Sequence, residues 1–218
     1  MSKRTSSQAM FKSRSSTGKK ARFTPAQRSE IARVIRSKAD KRQCNYNGNG
    51  SVSNSGTIIS MLQRMTKGDA AVNQYSGEFV DWMWARLRVI NRVEGTTDSV
   101  DSIRTILFQW DDSVAPTVGN VIDLSNGVEP IVAPYRWGNR RICKILSDQT
   151  VTTVAGQSND HVVTKVFVPG SRIRKSWFGQ ADTPPVKGGI YVLQVSDSLV
   201  APHPTIEVAF EAVYTDDI

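Results

Sequence analysis

Few residues of this 218-residue chain could support nucleophilic or metal chemistry. The chain has two cysteines, Cys44 and Cys143, and two histidines, His161 and His203. Neither histidine has the spacing of a zinc ligand to the other or to a cysteine. No phosphate-binding glycine loop or family-specific catalytic signature is present. We therefore predict reduced thiols, structural roles for all four residues and no enzymatic activity, although a Cys–His pair formed by the fold stays open.

Adjacent carboxylates could bind a hard cation. The sequence has two such pairs, Asp111 with Asp112 and Asp216 with Asp217. Calcium binds several oxygen ligands, often from loops. For the first pair, solvated loop charge is the favoured interpretation, and a calcium site is the alternative.

Positive charge is the strongest chemical signal, and it is concentrated at the N-terminus. Residues 1–42 contain 13 lysines and arginines but two acids, Glu30 and Asp40, so their net charge is +11. The remaining 176 residues carry 15 basic and 18 acidic side chains, a net charge of −3. Lysine and arginine neutralise phosphates and release condensed counterions, which gives salt-dependent binding with little sequence preference. A solubility tail or a localisation signal is the alternative, but +11 is more charge than either needs.

Nine basic residues of this arm are the predicted nucleic-acid contacts. They are Lys12, Arg14, Lys19, Lys20, Arg22, Arg28, Arg33, Arg36 and Lys38. The arm has few aromatic residues, Phe11 and Phe23, so we expect contact with phosphates rather than base stacking.

The arm divides into two parts. Residues 1–23 are rich in Ser, Lys and Arg and have too little apolar surface to fold alone, which predicts disorder. The segment Thr24–Gln27 places a capping hydroxyl, a proline and a glutamine as at a helix start. Apolar residues between 31 and 35 share one helical face. The pattern predicts a basic amphipathic helix within residues 24–42, which needs a partner because its apolar stripe is small.

The rest of the chain, residues 43–218, has the pattern of an all-β domain after a turn-rich linker at residues 45–50. Alternation of apolar with polar residues within Phe79–Val93 is typical of a half-buried strand. Turn-forming clusters separate the runs, which favours a sandwich or barrel, and residues 118–124 form a possible short crossover helix. Eight β-branched and aromatic runs predict strands: Thr57–Leu62, Phe79–Val93, Ser102–Trp110, Arg141–Leu146, Gln149–Val154, His161–Val168, Ile190–Val195 and Ile206–Val213. No apolar run is long enough to span a membrane, and no secretory signal is recognisable.

Three blocks of sequence carry a family resemblance. The first joins Ile190–Val200 to Phe210–Asp216, the second is Gly68–Glu78, and the third joins Phe108–Asp111 to Ala115–Val118. In order and spacing they resemble the satellite tobacco necrosis virus coat protein family, over most of residues 50–218.

The resemblance implies a fold and an assembly. The fold is an eight-stranded jelly-roll sandwich with two four-stranded sheets and an N-terminal basic arm that contains a short α-helix. The arm helices meet in threes and contact RNA, and Arg28 aligns best with an RNA-contacting arginine. The implied partner is single-stranded viral nucleic acid, with RNA favoured and DNA as the alternative, because similar coat proteins occur in some small circular DNA viruses. The assembly is a T=1 icosahedral shell of about 60 identical copies, which forms in the host cytoplasm and becomes a virion without a membrane.

The resemblance also implies calcium at subunit contacts. Asp216 matches a ligand that meets a neighbouring subunit's arm, and Ser76 and Phe79 match carbonyl donors. Asp40 lies next to the position of the arm carboxylate. Asp69 matches an aspartate that meets its symmetry mates on the threefold axis, where three like charges repel unless a cation lies between them.

Two other functions fit the layout without the resemblance. One is a non-viral β-sandwich binding module, for example sugar-binding, with a basic nucleic-acid-binding tail. The other is an enzyme on a jelly roll, which the lack of site chemistry argues against.

Overall fold

The computed structural model describes residues 24–38, 40–93, 100–154, 161–179, 185, 187–199 and 201–216. The chain divides into two units, Met1–Lys38 and Ala39–Ile218. The predicted disorder of residues 1–23 concerns residues outside the described part.

The first unit contains helix α1, Pro25–Lys38. Its start was predictable because Thr24 and Gln27 form a reciprocal cap: the Thr24 amide donates to Gln27 Oε1 at 2.9 Å, and the Gln27 amide donates to Thr24 Oγ1 at 3.2 Å. The helix ends at Lys38, before the end of the segment 24–42 within which it was predicted. Strand β1 begins at Lys41, where the backbone pairs with a distant strand instead of continuing the helix.

Strand β1, Lys41–Ser51, replaces the predicted linker at residues 45–50. Asparagine and glycine are poor strand formers, but this segment pairs along its whole length with the strand Thr205–Asp216. It also buries Cys44 and Tyr46 in the core. Pairing and burial therefore override the local propensity.

The predicted count of eight strands is wrong, because the described residues form eleven, of which three are only two residues long. After β1 the order is β2 (Thr57–Ser60), β3 (Thr66–Lys67), β4 (Gln74–Tyr75), β5 (Phe79–Arg92), β6 (Val100–Trp110), helix α2 (Val118–Val121), β7 (Cys143–Val154), β8 (His161–Pro169), β9 (Ser176–Trp177), β10 (Gly189–Ser196) and β11 (Thr205–Asp216). The two predicted runs between residues 141 and 154 are one strand, β7, with an extra residue at Leu146 where the register against β6 shifts.

Two antiparallel sheets form most of the second unit, and β3 and β4 form a separate short parallel pair. Sheet A has the order β1-β11-β5-β8, with β9 paired to β5, and sheet B has the order β2-β10-β6-β7. Leu87 and Phe210 of sheet A share one buried cluster with Leu107 and Val192 of sheet B. The sheets are therefore the two layers of a sandwich around one core.

The alternation predicted for β5 is present. Leu87 and Val89 are buried, whereas Arg86 and Arg88 are exposed. A β-bulge at Met83 shifts the register against β11. Because of this extra residue, Trp82 points into the core on the other side of the bulge.

The outer faces of the two sheets differ. A second apolar cluster covers sheet B, where Val121, Ile122 and Ala133 of the β6–β7 connection pack with Phe108 and Leu193. Strand β10 is consequently buried at all of its eight residues. In the described residues, no such layer covers the outer face of sheet A, which presents charged and polar side chains together with the exposed Val163 and Phe167.

Candidate nucleic-acid interface and subunit contacts

Four of the nine predicted nucleic-acid contacts lie in helix α1, which the structure describes. Arg28 is exposed on its first turn, and the apolar residues Ile31 and Val34 are 41% and 42% exposed. Exposed apolar residues on a short helix fit a helix that needs a partner. Arg33, Arg36 and Lys38 belong to the helix, but their side chains lie outside the described residues. The five remaining predicted contacts lie entirely outside the described residues: Lys12, Arg14, Lys19, Lys20 and Arg22.

Arg42 organises the predicted metal residues. Its Nε lies 3.3 Å from Asp216 Oδ2, and its Nη2 lies 3.5 Å from Asp69 Oδ1. Nη1 donates to the Gly68 carbonyl at 2.8 Å, and Nη2 donates to Ser76 Oγ at 3.2 Å. We call Arg42, Asp69, Ser76 and Asp216 the Arg42 cluster. It joins the start of β1, the 68–76 loop and the end of β11.

Asp216 is the buried carboxylate of this cluster, with a side chain only 4% exposed. Its Oδ2 accepts hydrogen bonds from the Ser76 amide at 2.8 Å and from Ser76 Oγ at 3.0 Å. Its Oδ1 is buried and has no hydrogen-bond partner. Burial and the nearby Asp216 carboxylate raise the pKa of Tyr214, whose hydroxyl donates to the Gln74 carbonyl.

The other predicted metal residues are placed differently. The Asp69 side chain is 90% exposed, which leaves it available to other subunits. Phe79 is exposed at the start of β5 and pairs with Trp177. Asp40 is exposed and makes none of the contacts described for the Arg42 cluster. Within the described residues, no three His, Cys, Asp or Glu side chains converge to hold a metal.

Sequence reasoning counted Arg42 only as one more charge of the arm. Its side chain is 13% exposed, and it belongs to the shell unit rather than to the arm. The signal that could have identified it was its place next to an apolar alternation, because Cys44 and Tyr46 follow it and face the core.

The two thiols lack the properties of nucleophiles. Burial raises the pKa of Cys44 to about 12 and that of Cys143 to about 11. Both cysteines are free, as predicted. Nucleophilic chemistry needs the thiolate, and these raised pKa values suppress it.

A second ion pair fastens the β6–β7 connection to sheet B. Arg104 Nη2 lies 2.7 Å from Asp148 Oδ2, and Arg104 Nη1 donates to the Ala133 carbonyl at 2.6 Å. The Tyr135 hydroxyl donates to Asp148 Oδ2 at 2.6 Å. Burial opposes ionisation of Asp148, but the hydrogen bonds from Arg104 and Tyr135 keep its pKa below the usual range. Burial, followed by the Asp148 contact, raises the pKa of Tyr135 to about 12. We call these residues the Arg104 network.

Comparison with protein families decides between the candidate functions. The family model of the satellite tobacco necrosis virus coat protein matches residues 10–217. The chain belongs to this family. It is therefore a viral coat protein with a structural role, and coat proteins of this family are components of the virion. The sequence-based identification of the family is confirmed.

Two solved structures from viral particles match the chain at low identity and low TM-score. A Desmodium yellow mottle tymovirus chain matches with a TM-score of 0.40 and 8% identity, over 83% of this chain and 89% of that one. A chain from a full particle of Israeli acute paralysis virus heated to 63 degrees matches with a TM-score of 0.27 and 6% identity, over 98% of this chain and 83% of that one. No curated protein matches the sequence. In the described residues, no helix has the length and apolarity needed to cross a membrane.

Proposed function

We propose that this coat protein assembles into a T=1 icosahedral shell of about 60 copies and packages single-stranded RNA through its N-terminal arm. The observation that carries the proposal is the charge division, +11 on residues 1–42 against −3 on the rest. A domain with a slightly negative charge does not attract phosphates over its whole surface, so the excess positive charge of the arm supplies long-range attraction to the genome.

The strand order supports a jelly roll as the building block of the shell. Each sheet has four strands on its main path, in the orders β1-β11-β5-β8 and β2-β10-β6-β7, so most of these strands that are consecutive in the chain lie in different sheets. Two Greek keys wound into a double sheet give this kind of crossover order, and viral capsid domains use it.

In the arm, helix α1 gives the basic residues a regular spacing. Arg28 is exposed to reach a phosphate, and the exposed Ile31 and Val34 offer an apolar contact to arms of other copies. Association of arms would bury these residues and hold the charges of several subunits together, which strengthens binding through effective concentration.

Calcium at subunit contacts is part of the proposal. The buried and unpartnered Oδ1 of Asp216 fits a cation ligand, and the exposed Asp69 fits a contact with neighbouring copies. Because a single described subunit lacks a full ligand set, further oxygens would come from neighbours, and Asp40 is the carboxylate we propose for this. Arg42 already neutralises Oδ2, so calcium would act on the remaining oxygen. When bound, calcium would link carboxylates of different copies.

The test compares the full chain with a variant in which all lysines and arginines of residues 1–38 become glutamine. Lys41 and Arg42 are left unchanged because they belong to β1. We expect the parent to form uniform particles that absorb at 260 nm. The variant should keep the circular dichroism and thermal unfolding of the shell domain but lose nucleic acid. A parent that stays monomeric over a range of salt and calcium would refute the shell, and equal nucleic-acid content in both particles would refute the role of the arm.

A further inference from the structure

A row of residues crosses the outer face of sheet A, with one residue from each of its long strands. Asn47 pairs with Ala209, Ala209 pairs with Arg88, and Arg88 pairs with Lys165. We call these four residues the Arg88 row. Arg88 and Lys165 are both exposed. Like charges directly opposite each other on neighbouring strands are destabilising, so this row keeps a local repulsion that a bound anion would relieve.

The other two exposed arginines of β5, Arg86 and Arg92, each have an acid of β11 beside them, whereas Arg88 does not. On one side Glu211 lies 3.8 Å from the guanidinium of Arg86, and on the other Glu207 lies 3.0 Å from Arg92. Strand β11 therefore presents Glu, Ala and Glu at three successive outward positions. Among the described residues, the ion pairs on this face include Arg86 and Arg92 but neither Arg88 nor Lys165. The small residue Ala209 occupies the position at which the third acid would neutralise Arg88.

An open depression of about 710 Å³ lies over this row. Ala209 contributes only a methyl group to the lining, and Asn47 and Asn49 of β1 contribute amide groups. The lining residues are Asn47, Gly48, Asn49, Arg88, Ile90, Val163, Lys165, Glu207, Val208 and Ala209. The depression is thus lined by two cations, neutral hydrogen-bonding groups, apolar side chains and one carboxylate, Glu207, which is paired with Arg92.

We propose that the Arg88 row binds backbone phosphates of the packaged RNA, so that the shell domain contributes to genome binding beside the arm. This inference rests on the proposed packaging function. An arginine guanidinium matches the geometry of phosphate oxygens through paired N–H donors, and lysine adds a second charge. The amide of Asn47 can donate to a phosphate or ribose oxygen.

Two features of the fold favour RNA as the occupant. The outer face of sheet B is covered by the β6–β7 connection of the same chain, whereas the face with the Arg88 row is open. The edge strand of sheet A, β1, also continues directly from the basic arm in the sequence. A nucleic acid that is bound to the arm is therefore attached to a segment that leads directly into this sheet in the sequence.

The first test measures how binding of a fluorescent single-stranded RNA to the full chain depends on salt. For single strands, each phosphate contact contributes about 0.7 to the slope of log K against log salt. The double variant R88Q/K165Q should lower the magnitude of the slope by about 1.4, for two lost contacts. The control K67Q/K187Q removes two exposed lysines outside the row and should leave the slope within error of the parent.

A second variant, A209E, distinguishes phosphate binding from a general loss of fold. It adds the missing acid beside Arg88, so the thermal midpoint should rise by about 2 °C through a cross-strand ion pair. At the same time, the salt slope for RNA should fall as in R88Q/K165Q. Higher stability together with weaker RNA binding is not expected from a damaged fold.

The outcomes separate the two proposals. If the parent binds no RNA, the packaging function fails and this inference fails with it. If the parent binds RNA and the slopes of R88Q/K165Q and A209E equal its slope, packaging stands and the Arg88 row is excluded. Intact particles that bind heparin through Arg88 and Lys165, and lose this binding in the double variant, would place the row on the exterior and overturn the inference.

Discussion

The Nε atom of Arg42 lies 3.3 Å from Oδ2 of Asp216, a buried carboxylate at the end of β11. This contact places a permanent positive charge beside the carboxylate for which calcium was predicted. One oxygen of Asp216 is thereby neutralised within the subunit, while Oδ1 stays buried without a partner. The first predictions concern this carboxylate, because Arg42 contacts one of its oxygens within the subunit and calcium is proposed to bind the other.

Replacing Arg42 by glutamine should destabilise the shell domain by about 2–4 kcal/mol, because it leaves a buried carboxylate without its charge partner. Urea unfolding of R42Q measures the loss. Millimolar calcium should restore more stability to R42Q than to the parent, since the metal then supplies the missing charge. K67Q, an exposed change nearby, is the control, and an equal calcium response in R42Q and the parent would contradict the prediction.

Removal of calcium should lower the heat resistance of assembled particles at neutral pH. We expect EGTA to shift the disassembly temperature of the parent downward, because carboxylates of different copies then repel each other. D216N and D69N should show little further shift on chelation. D112N, which changes a carboxylate outside the Arg42 cluster, should respond like the parent. If EGTA leaves the disassembly temperature of the parent particles unchanged, the proposed role of calcium is refuted.

The Arg104 network should make the shell domain sensitive to acid. Its contacts lower the pKa of Asp148 in the folded state, so their stabilisation is fully present above the ordinary aspartate pKa of about 3.9. It is lost as the pH falls from there through the lowered folded value. D148N should be less stable than the parent at pH 7 and should show a smaller loss of stability on acidification. Denaturant unfolding of D148N and the parent across this pH range tests the prediction. If the free energies of unfolding of both proteins decrease equally as the pH falls, the prediction is refuted.

Tyr135 should make the stability that the Arg104 network contributes decrease at high pH. Its pKa in the folded protein is raised to about 12, above the ordinary tyrosine value of about 10. The stabilisation is therefore present below about pH 10 and is lost as the pH rises through about 12. Y135F should remove this part of the alkaline loss. The absorbance of tyrosinate and the thermal midpoint are measured together from pH 9 upward. We expect the thermal midpoint of the parent to decrease over the pH range in which Tyr135 ionises.

Local sequence patterns predicted the parts of the fold that local interactions determine. The start of α1 follows from the Thr24–Gln27 cap, and β5 follows from alternation around Leu87. Strand β1 could not be recognised in this way. Its Asn–Gly composition favours turns, and its partner strand β11 lies more than 150 residues further along the chain. The end of α1 at Lys38 could not be placed for the same reason.

The two sites differ from the sequence-based expectations because their members are distant in the chain. Asp216 and Ser76 were found through the family resemblance, but the role of Arg42 appears only when the 68–76 loop folds over it. The Arg88 row depends on register across four strands. Nothing in the sequence around Ala209 indicates that a small residue there leaves two cations unpaired.

The pairing of β1 with β11 over eleven residue pairs has a mechanical consequence. A pull along β1, as from a nucleic acid condensing on the arm, loads the whole ladder of perpendicular hydrogen bonds in shear. Such bonds must yield together rather than one after another. If the arm holds the genome as proposed, tension on the arm would be spread over sheet A, and the start of β1 would anchor the arm to the shell domain.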